Sequence, residues 1–307
     1  MKFEVVIPSR GSIGTLQKIV ESIVNSNVLP SKVHIIIDKF IGKDEYDIIL
    51  YFIFKKIEEE KKQIFNIITN LNSNLCPGVG VSYIRNFGIN LCKSEYMYII
   101  DDDNIFGENF FKETIESYSK YQNNFEKEIF LSPTIMYRQT NKIQSQGFKK
   151  ISPFLAKVVP TKSTGDYSTP KLIGGNSIFG KTNNFKKIMF DEYFEFIYED
   201  LDFSWRATNL GYKIVVDNNL KTNHMEKEKS ATEKSFIGTP KTAYQKSRNR
   251  IILIKNNAKW WEKYIFYISG LWIQTGWFIF LVLFLGKHSK FETFKSILKG
   301  TYEGIKF

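Results

Sequence analysis

The hydrophobic and polar positions in the first hundred residues alternate between strand-like and helix-like patterns. An apolar run at residues 2–7 is ended by Pro8, and residues 33–37 form a second apolar run. Between them, from Ser12 to Asn25, apolar side chains recur every three or four residues, which predicts a helix with Ser12 at its N-cap. This strand, helix, strand order with short links predicts parallel pairing through a right-handed crossover, and therefore an α/β fold.

Three consecutive carboxylates, residues 101–103, follow the apolar run Tyr96–Ile100, which has the pattern of a buried strand. Three like charges repel one another strongly at low dielectric. Mg²⁺ or Mn²⁺ would relieve this repulsion, because these ions prefer carboxylate oxygens and keep positions open for phosphate. Ligands bind beyond the carboxyl ends of the strands in open sheets of this kind. Ser9, Arg10 and Asp38 lie at such ends, so we expect them to share one crevice with the carboxylates.

A second acidic pair begins a predicted helix later in the chain. Glu199 and Asp200 lie in its first turn, where carboxylates are common because the helix dipole favours them. An apolar strand at residues 214–216 follows, and then a single His224. The order of these groups, from strand-end carboxylates to helix-start acids to histidine, favours a functional interpretation over an ordinary helix start.

These motifs, in this order, resemble those of the inverting glycosyltransferases of family 2. The matching segments are Val5–Arg10, Gly80–Gly88, Ile100–Asp103, Gly174–Asn176, Glu199–Asp202, Gly211–Lys213, His224 and Arg248-Asn249. The resemblance implies the GT-A fold, a Rossmann-like, mostly parallel sheet flanked by helices. It also implies transfer of a sugar from a nucleoside diphosphate sugar to a hydroxyl of a glycan or lipid-linked acceptor, in cell-surface polysaccharide or glycolipid synthesis.

The resemblance implies a role for the motif residues. Asp200 matches the catalytic base, and Asp103 matches the direct ligand of a Mn²⁺ or Mg²⁺ ion. Asp101 would contact the metal or the donor's ribose, and His224 would reach the metal or the diphosphate. The other predicted donor-binding residues are Ser9, Arg10, Asp38, Arg85, Asn86, Asp102 and Arg248, and the predicted acceptor-binding residues are Gly175, Asn176 and Glu199.

Three positions depart from the pattern of the family. Lys39, rather than a second Asp, follows Asp38, and Arg10 stands where an aromatic residue is usual. Both changes fall in the predicted nucleotide pocket, so the sequence leaves the sugar and the base of the donor open. Asn249 replaces the Trp that follows Gln-x-x-Arg in processive members, which indicates the addition of one sugar at a time.

Residues 241–307 form a basic and apolar tail, with 12 Lys and Arg against 3 Glu in a chain of net charge +11. The run Tyr264–Gly286 carries no charge and is long enough to span a bilayer. Both its flanks are basic, with Lys263 before it and Lys287 after it, so a single span would leave one basic flank outside. Gly270, Gln274 and Gly276 interrupt the middle of the run. We expect instead a helix pair that enters only the cytoplasmic leaflet, and then an amphipathic helix over residues 291–305.

We therefore predict a catalytic domain at residues 1–250 and a membrane-association region at residues 251–307, with residues 260–307 at the cytoplasmic face of a membrane. Because the basic residues surround an apolar segment, anionic lipid is favoured over nucleic acid as a partner. For Arg248 and Arg250, a basic membrane-facing position and a contact to the diphosphate are equally good interpretations.

The remaining segments and the alternative functions complete the prediction. Residues 43–65 are expected to form one exposed helix, and residues 138–172 acceptor-side loops and short strands. The two cysteines form no disulfide framework and the first strand leaves no room for a signal peptide, so a reduced cytoplasmic setting is expected.

Two other functions stay open: a nucleotidyltransferase, which does not need Asp200, and an inactive membrane-bound protein that binds nucleotide sugars. Intact Asp103 and Asp200 count against the inactive protein.

Overall fold

The computed structural model describes residues 1–226, 239–285 and 289–307, and within them helices flank both faces of a ten-stranded sheet. The strands are β1 (Phe3–Ser9), β2 (Lys32–Ile37), β3 (Phe65–Ile68), β4 (Tyr96–Ile100), β5 (Asn104–Ile105), β6 (Ile129–Tyr137), β7 (Lys142–Ser145), β8 (Phe148–Ser152), β9 (Lys157–Pro160), β10 (Tyr167–Ser168), β11 (Ser177–Lys181) and β12 (Lys213–His224). Of these, β8 and β9 form a separate hairpin.

Helices separate most of the strands from β1 to β6, whereas β6 to β11 follow one another without a helix between them. The helices are α1 (Ile13–Val24), α2 (Lys43–Phe54), α3 (Glu59–Lys62), α4 (Val81–Leu91), α5 (Phe110–Asn124), α6 (Thr182–Ile188), α7 (Glu199–Asn209), α8 (Pro240–Asn257), α9 (Trp260–Ile265), α10 (Leu271–Leu285) and α11 (Lys290–Lys306). A π-helical turn, Phe266–Gly270, joins α9 to α10.

The sheet combines a parallel half with a mixed half. Strands β3, β2, β1 and β4 are parallel neighbours in that order, which confirms the predicted pairing of the first two strands. Antiparallel β11 then links β4 to β6, and β6 pairs in parallel with β12. The predicted α/β class is therefore confirmed, with a mixed rather than uniform strand direction. The carboxyl ends of β1, β2 and β4 lie side by side at one edge of the sheet.

Both faces of the sheet are buried, which explains why its strands are continuous apolar runs rather than alternating ones. One face packs against α1 and α5, and the other against α4, α6 and α7. Helix α4 lies close to the sheet because Gly88 has no side chain: a Cβ there would come 2.7 Å from Ile36 Cδ1 and nearer still to Val6. This close packing fixes the distance between α4 and the end of β4.

Some predicted boundaries were wrong, each for a local reason. Strand β1 continues through Pro8 because, beyond Val6, it pairs with β2 on one side, so the missing N–H of proline does not break a central ladder. His224 is the last residue of the long strand β12 rather than a residue after a short one. Residues 43–65 form two helices and lead into β3, and their apolar positions Ile49 and Ile53 are buried.

The apolar tail is one helix rather than the predicted helix pair. The segments α9, Phe266–Gly270 and α10 run on without a break, and Trp260–Phe284 is long and apolar enough to cross a membrane. Gly270 does not interrupt this helix; it lets the helix approach the carbonyl oxygen of Pro153 at the tip of the β8–β9 hairpin. Two features of the predicted tail lie outside the described residues: Gly286, at the end of the uncharged run, and Lys287, in the basic flank after it.

Residues 251–307 pack onto the preceding part of the chain. The predicted boundary at residue 250 falls inside α8, which contacts both α7 and α11. The amphipathic helix predicted over residues 291–305 is α11, and it approaches α8 closely because Gly300 and Gly304 meet the backbone of Tyr244 and Arg248. Small residues therefore form its packed side, while several of its apolar side chains remain exposed to the outside.

Replacing Gly88 by Ala should lower the free energy of unfolding by about 1–3 kcal/mol, because the added methyl group overpacks the contact between α4 and the sheet. Urea unfolding followed by circular dichroism measures this change. Gly14→Ala in α1 is the matched control, since a Cβ there meets nothing within 4 Å and Ala is the better helix former. If both variants unfold at the midpoint of the parent protein, the close contact at Gly88 is not a constraint.

Candidate functional site

The predicted strand-end residues meet in one cavity. Ser9, Arg10, Asp38 and the three carboxylates Asp101–Asp103 all line a cavity of about 850 Å³, which we call the first cavity. They meet because β1, β2 and β4 are parallel and end at the same edge of the sheet. Asp38 is held there by the backbone N–H of Gly78, which donates to its Oδ1 at 2.5 Å. Arg10 lies over the ring of Phe196.

Asp102 is turned toward the end of β1 and the start of α1. The Ser9 hydroxyl donates to Asp102 Oδ2 at 2.5 Å, and Thr15 Oγ1 donates to the same oxygen at 3.2 Å. The N–H of Gly11 donates in turn to Ser9 Oγ at 2.9 Å. Burial raises the pKa of Asp102 to about 6 despite these bonds. Asp102, which follows β4, thus connects the end of β4 to the end of β1.

Arg85 joins the strand-end acids to the helix-start acids. It is 2% exposed, and its Nη2 donates to Asp101 Oδ1 at 2.9 Å while its Nη1 donates to Glu199 Oε1 at 3.1 Å. Burial disfavours the charge of Arg85, but the two carboxylates outweigh burial and raise its pKa. For Glu199, burial and the neighbouring Asp200 prevail over the attraction of Arg85, and its pKa rises to about 7.

A second cavity, of about 460 Å³, adjoins the first. The two share four lining residues, Arg85, Asp101, Phe196 and Glu199. Asp200 lines only the second cavity, together with the predicted acceptor residues Gly175 and Asn176. The strand-end carboxylates and Asp200 therefore lie on opposite sides of one junction.

Two backbone N–H groups orient the Asp200 carboxylate. Gly175 donates to its Oδ2 at 2.9 Å and Leu201 donates to its Oδ1 at 2.7 Å. Gly175 is required for this approach, because a Cβ there would lie 2.8 Å from Asp200 Cβ and 2.9 Å from Arg85 Nη1. The paired glycines of the Gly174–Asn176 segment thus have a steric explanation.

His224 and Asp103, which are both predicted metal ligands, are in direct contact. His224 Nε2 lies 2.8 Å from Asp103 Oδ2, and its Nδ1 lies 3.0 Å from Gln144 Oε1. Burial lowers the pKa of His224, but the bond to Asp103 more than offsets burial, so the pKa is raised. The other carboxylate oxygen, Asp103 Oδ1, is buried and has no hydrogen-bond partner among the described residues.

The donor atoms at Asp101, Asp103 and His224 suit a divalent cation. Carboxylate oxygens are the ligands that Mg²⁺ and Mn²⁺ prefer, and such ions usually take further ligands from phosphate or water. The unpartnered Asp103 Oδ1 is the kind of atom that a cation would satisfy. The residues therefore fit the predicted metal.

A tighter cluster of potential metal ligands, at the opposite end of β1, is already satisfied by protein groups. Glu4, His34 and Cys92 bring their ligand atoms within 4.8 Å of one another. Glu4 accepts bonds from the backbone N–H groups of Lys93 and Ser94 and contacts His34 Nε2 at 2.8 Å. Burial raises the pKa of Cys92 to about 12, so its thiol stays protonated. This cluster is structural.

Two predicted donor-binding residues face away from both cavities. The side-chain amide of Asn86 bonds the backbone N–H and carbonyl of Phe190, each at 2.8 Å. Arg248 donates to the Tyr193 carbonyl at 2.9 Å and lies over the Tyr193 ring. Neither residue lines the first cavity, and the membrane-facing interpretation of Arg248 and Arg250 is wrong because both are buried.

The start of α8 is a part of the first cavity that the sequence interpretation missed. Thr239, Lys241, Thr242 and Gln245 line it. The signal was present, since Thr239 followed by Pro240 is a strong helix-start pattern, and Thr239 Oγ1 accepts a bond from the Thr242 N–H at 3.2 Å. It brings Lys241 to the cavity, where Arg248 had been expected.

Comparisons with known proteins identify the fold. No protein-family model matches the sequence, and no curated protein is similar to it. The crystal structure of S. aureus TarS residues 1–349 in complex with UDP-GlcNAc is similar with a TM-score of 0.60 at 15% identity, covering 100% of this chain and 81% of that one. The complex with UDP gives 0.54 at 15% identity, covering 87% and 70%.

A further crystal structure of S. aureus TarS gives a TM-score of 0.56 at 14% identity and covers 94% of this chain. It covers 46% of the TarS chain, so the present chain spans about half of that protein's length. At this identity the likeness concerns the fold. The prediction of a GT-A-like α/β fold with helices on both sides of the sheet is confirmed.

Proposed function

We propose that this protein is a metal-dependent, inverting glycosyltransferase that moves one sugar from a nucleoside diphosphate sugar to an acceptor hydroxyl. The observation that carries the proposal is the junction of the two cavities at Arg85, Asp101 and Glu199. A donor in the first cavity and an acceptor in the second would meet at this junction, with the strand-end carboxylates behind the leaving group and Asp200 behind the incoming hydroxyl.

The donor is a uridine diphosphate sugar in this proposal. Its support is the shared fold with TarS, which is seen in complex with UDP-GlcNAc and with UDP. The first cavity offers Asp38 and the backbone around Gly78 for the nucleoside, and Lys241 for the diphosphate. Its volume of about 850 Å³ is large enough for a nucleotide sugar.

The charge of the first cavity supports a metal ion. Its lining side chains comprise four cations (Arg10, Lys39, Arg85 and Lys241) and six acids (Asp38, Asp101, Asp102, Asp103, Glu195 and Glu199). A diphosphate anion entering this lining would be repelled, because the acids outnumber the cations. Asp103, Asp101 and His224 would hold Mn²⁺ or Mg²⁺, which, when bound, stabilises the negative charge that develops on the leaving diphosphate.

Asp200 is the general base of the proposed reaction. It takes the proton of the acceptor hydroxyl as that oxygen bonds to the anomeric carbon, while the bond from this carbon to the diphosphate breaks and its electron pair leaves with the diphosphate. The two N–H groups of Gly175 and Leu201 keep the carboxylate oriented before the acceptor arrives. A base so positioned contributes about 10²–10⁴-fold to the rate. The acceptor hydroxyl approaches the anomeric carbon from the side opposite to the leaving diphosphate, so the configuration at this carbon is inverted.

The acceptor occupies the second cavity. Asn176 supports this, since its side-chain Oδ1 is buried without a hydrogen-bond partner in the part of the chain that the structure describes. Gly175 and Glu199 complete the acceptor side, the first through its backbone and the second through its ion pair with Arg85. A nucleotidyltransferase does not need Asp200, so the oriented Asp200 carboxylate at the second cavity favours sugar transfer.

The C-terminal helices bind a membrane surface in this proposal. Trp260, Trp272 and Phe284 are each more than half exposed, and Phe154 and Leu155 extend this apolar surface at the tip of the β8–β9 hairpin. Aromatic side chains flanked by lysines suit the interface of an anionic bilayer. Because the other side of the helix packs on the hairpin and α8, the helix lies along the cytoplasmic leaflet instead of crossing it. The acceptor is then a glycan or lipid-linked hydroxyl at that surface.

Asp200→Asn should lower the transfer rate by about 10²–10⁴-fold, because the amide keeps the shape of the carboxylate but cannot accept the acceptor's proton. Affinity for UDP, measured by calorimetry, should stay within a few-fold. Release of UDP from a panel of UDP-sugars with acceptor present gives the rate, and a parallel assay for pyrophosphate detects a nucleotidyltransferase.

Asp44→Asn is the matched control for Asp200→Asn, since Asp44 also lies in the first turn of a helix but is exposed and lines neither cavity. It should transfer at the parent rate. A D200N variant that keeps the parent rate would remove Asp200 from the role of base.

Asp103→Asn should weaken Mn²⁺ binding by more than about 10-fold, since it replaces the carboxylate whose Oδ1 is unpartnered. Electron paramagnetic resonance of free Mn²⁺, titrated with protein and UDP, measures the binding without any turnover. The exposed Asp47→Asn on α2 should bind Mn²⁺ like the parent protein. Unchanged Mn²⁺ affinity in D103N would show that the metal ligand lies elsewhere.

Replacing Trp260, Trp272 and Phe284 together by Ser should abolish flotation with vesicles that contain anionic lipid. Each buried aromatic side chain contributes about 1.5–3 kcal/mol to the partition, so the loss exceeds about 100-fold. Flotation of the parent should also weaken at high salt, because lysines contribute through charge.

The control for the membrane test replaces three exposed apolar residues away from the tail, Ile48, Tyr51 and Leu210, by Ser. This variant should float like the parent protein. If the parent protein fails to bind anionic vesicles at low salt, the exposed aromatic surface has another partner.

A further inference from the structure

The backbone that leads into α7 is held in an unusual conformation. Ile197 and Tyr198 are consecutive residues with φ angles of 70° and 74°, in the left-handed region. This region is uncommon for residues with a side chain, and a β-branched residue such as Ile is disfavoured there most of all. Both residues line the second cavity and directly precede Glu199 and Asp200. Strain of this kind persists only where surrounding contacts enforce it.

One buried side chain holds this strained pair. Asn249 lies on α8 with no exposed surface, and its Nδ2 donates to the carbonyl oxygens of Phe196 and Ile197, each at 2.9 Å. Its Oδ1 accepts a bond from Arg248 Nε, also at 2.9 Å. The side-chain amide of Asn249 thus both donates and accepts hydrogen bonds. Its two N–H groups donate to the carbonyls that precede and follow the Cα of Ile197, the first strained residue.

The neighbouring residues are anchored from a different helix. The carbonyl of Phe194 accepts a bond from Ser82 Oγ at 2.6 Å, and that of Glu195 accepts one from the Val81 N–H at 2.8 Å, both from the start of α4. The connection before α7 is therefore held in several places: α4 holds Phe194 and Glu195, Arg248 of α8 holds Tyr193, and Asn249 holds the part where the backbone turns.

We propose that Asn249 is a positioning residue for the proposed reaction: by holding Ile197 and Tyr198 in the left-handed conformation it sets where α7 begins, and hence where Asp200 stands. The inference rests on the proposed function of Asp200 as base. Without Asn249 the pair relaxes, and Asp200 loses its alignment with the Gly175 N–H. Phe196 and Glu199 line both cavities, but Ser9 and Asp38 on the nucleotide side of the first cavity are held by β1 and β2 and by bonds to Gly11 and Gly78.

The first test compares Asn249→Ala with Asn257→Ala. Asn257 is also buried on α8, and its Nδ2 donates to Asp202 and to the Leu253 carbonyl, so it joins the same two helices without touching the strained pair. N249A should lower kcat by about tenfold or more with the donor KM and UDP affinity within twofold, while N257A keeps its kcat. Equal losses of kcat in the two variants would overturn the specific role of Asn249.

The second test asks whether glycine removes the need for the anchor. Glycine adopts a φ near 70° without steric cost, so Ile197→Gly needs no side chain to enforce its conformation. Asn249→Ala should lower kcat less than about threefold in the I197G background, against about tenfold or more in the parent background. The same loss in both backgrounds would show that Asn249 acts through general stability.

A third measurement is independent of turnover. Hydrogen exchange followed by mass spectrometry should show faster exchange in N249A for peptides that cover residues 196–201, with the parent rate in N257A. Unchanged exchange in these peptides would overturn the inference. Faster exchange together with a fully active Asp200→Asn variant would instead retain the anchor and reject the base, so the two proposals fail separately.

Discussion

The buried guanidinium of Arg85 is the interaction on which the site depends. A cation that is 2% exposed is costly to remove from water, and its bonds to Asp101 and Glu199 offset that cost. These bonds can form only if α4, the end of β4 and the start of α7 meet at one point. Any arrangement that separates them leaves an unpaired buried charge. The same ion pairs form the partition at which the two cavities meet, so the requirement that stabilises the fold also brings the two sides of the site together.

Glycines make this junction possible because they allow backbones to approach where a side chain would not fit. At Gly175 a Cβ would contact both Asp200 and Arg85. At Gly80, with φ 122°, a Cβ would lie 2.6 Å from Glu195 Cα, so the start of α4 can bond the connection before α7. Gly88 lets α4 lie against the sheet. The glycines in the motifs therefore act through close packing around Arg85, which is why they accompany the charged residues in the sequence.

The sequence predicts secondary structure and strand order best where the pattern of residues lies within a short segment or repeats along the chain. The strand Tyr96–Ile100 and its three carboxylates, and their meeting with Ser9 and Asp38, followed from apolar runs and from parallel topology. The hydrogen-bond partners of buried side chains lie far away in the sequence, so these partners could not be inferred. Asn86, for example, bonds Phe190, more than a hundred residues away along the chain. Strand β12 was underestimated because a register shift between Asp217 and Lys221 breaks its alternation. The continuous apolar helix was predicted as a pair because Gly270 looks like a break until its contact with Pro153 is known.

Helix α8 makes the C-terminal helices and the α/β part of the chain one folding unit. One side of it holds the connection before α7 through Asn249, and another packs on α11 at Gly300 and Gly304. Arg250 shows how firmly α10 belongs to this unit: it is 1% exposed, its Nη2 donates to Thr275 at 3.3 Å, and burial lowers its pKa to about 10. No carboxylate offsets this charge among the described ion pairs, so burying the Arg250 guanidinium costs free energy. Packing between α8 and α10 must contribute more free energy than this burial costs. The exposed aromatic surface and the second cavity are consequently held at a fixed separation.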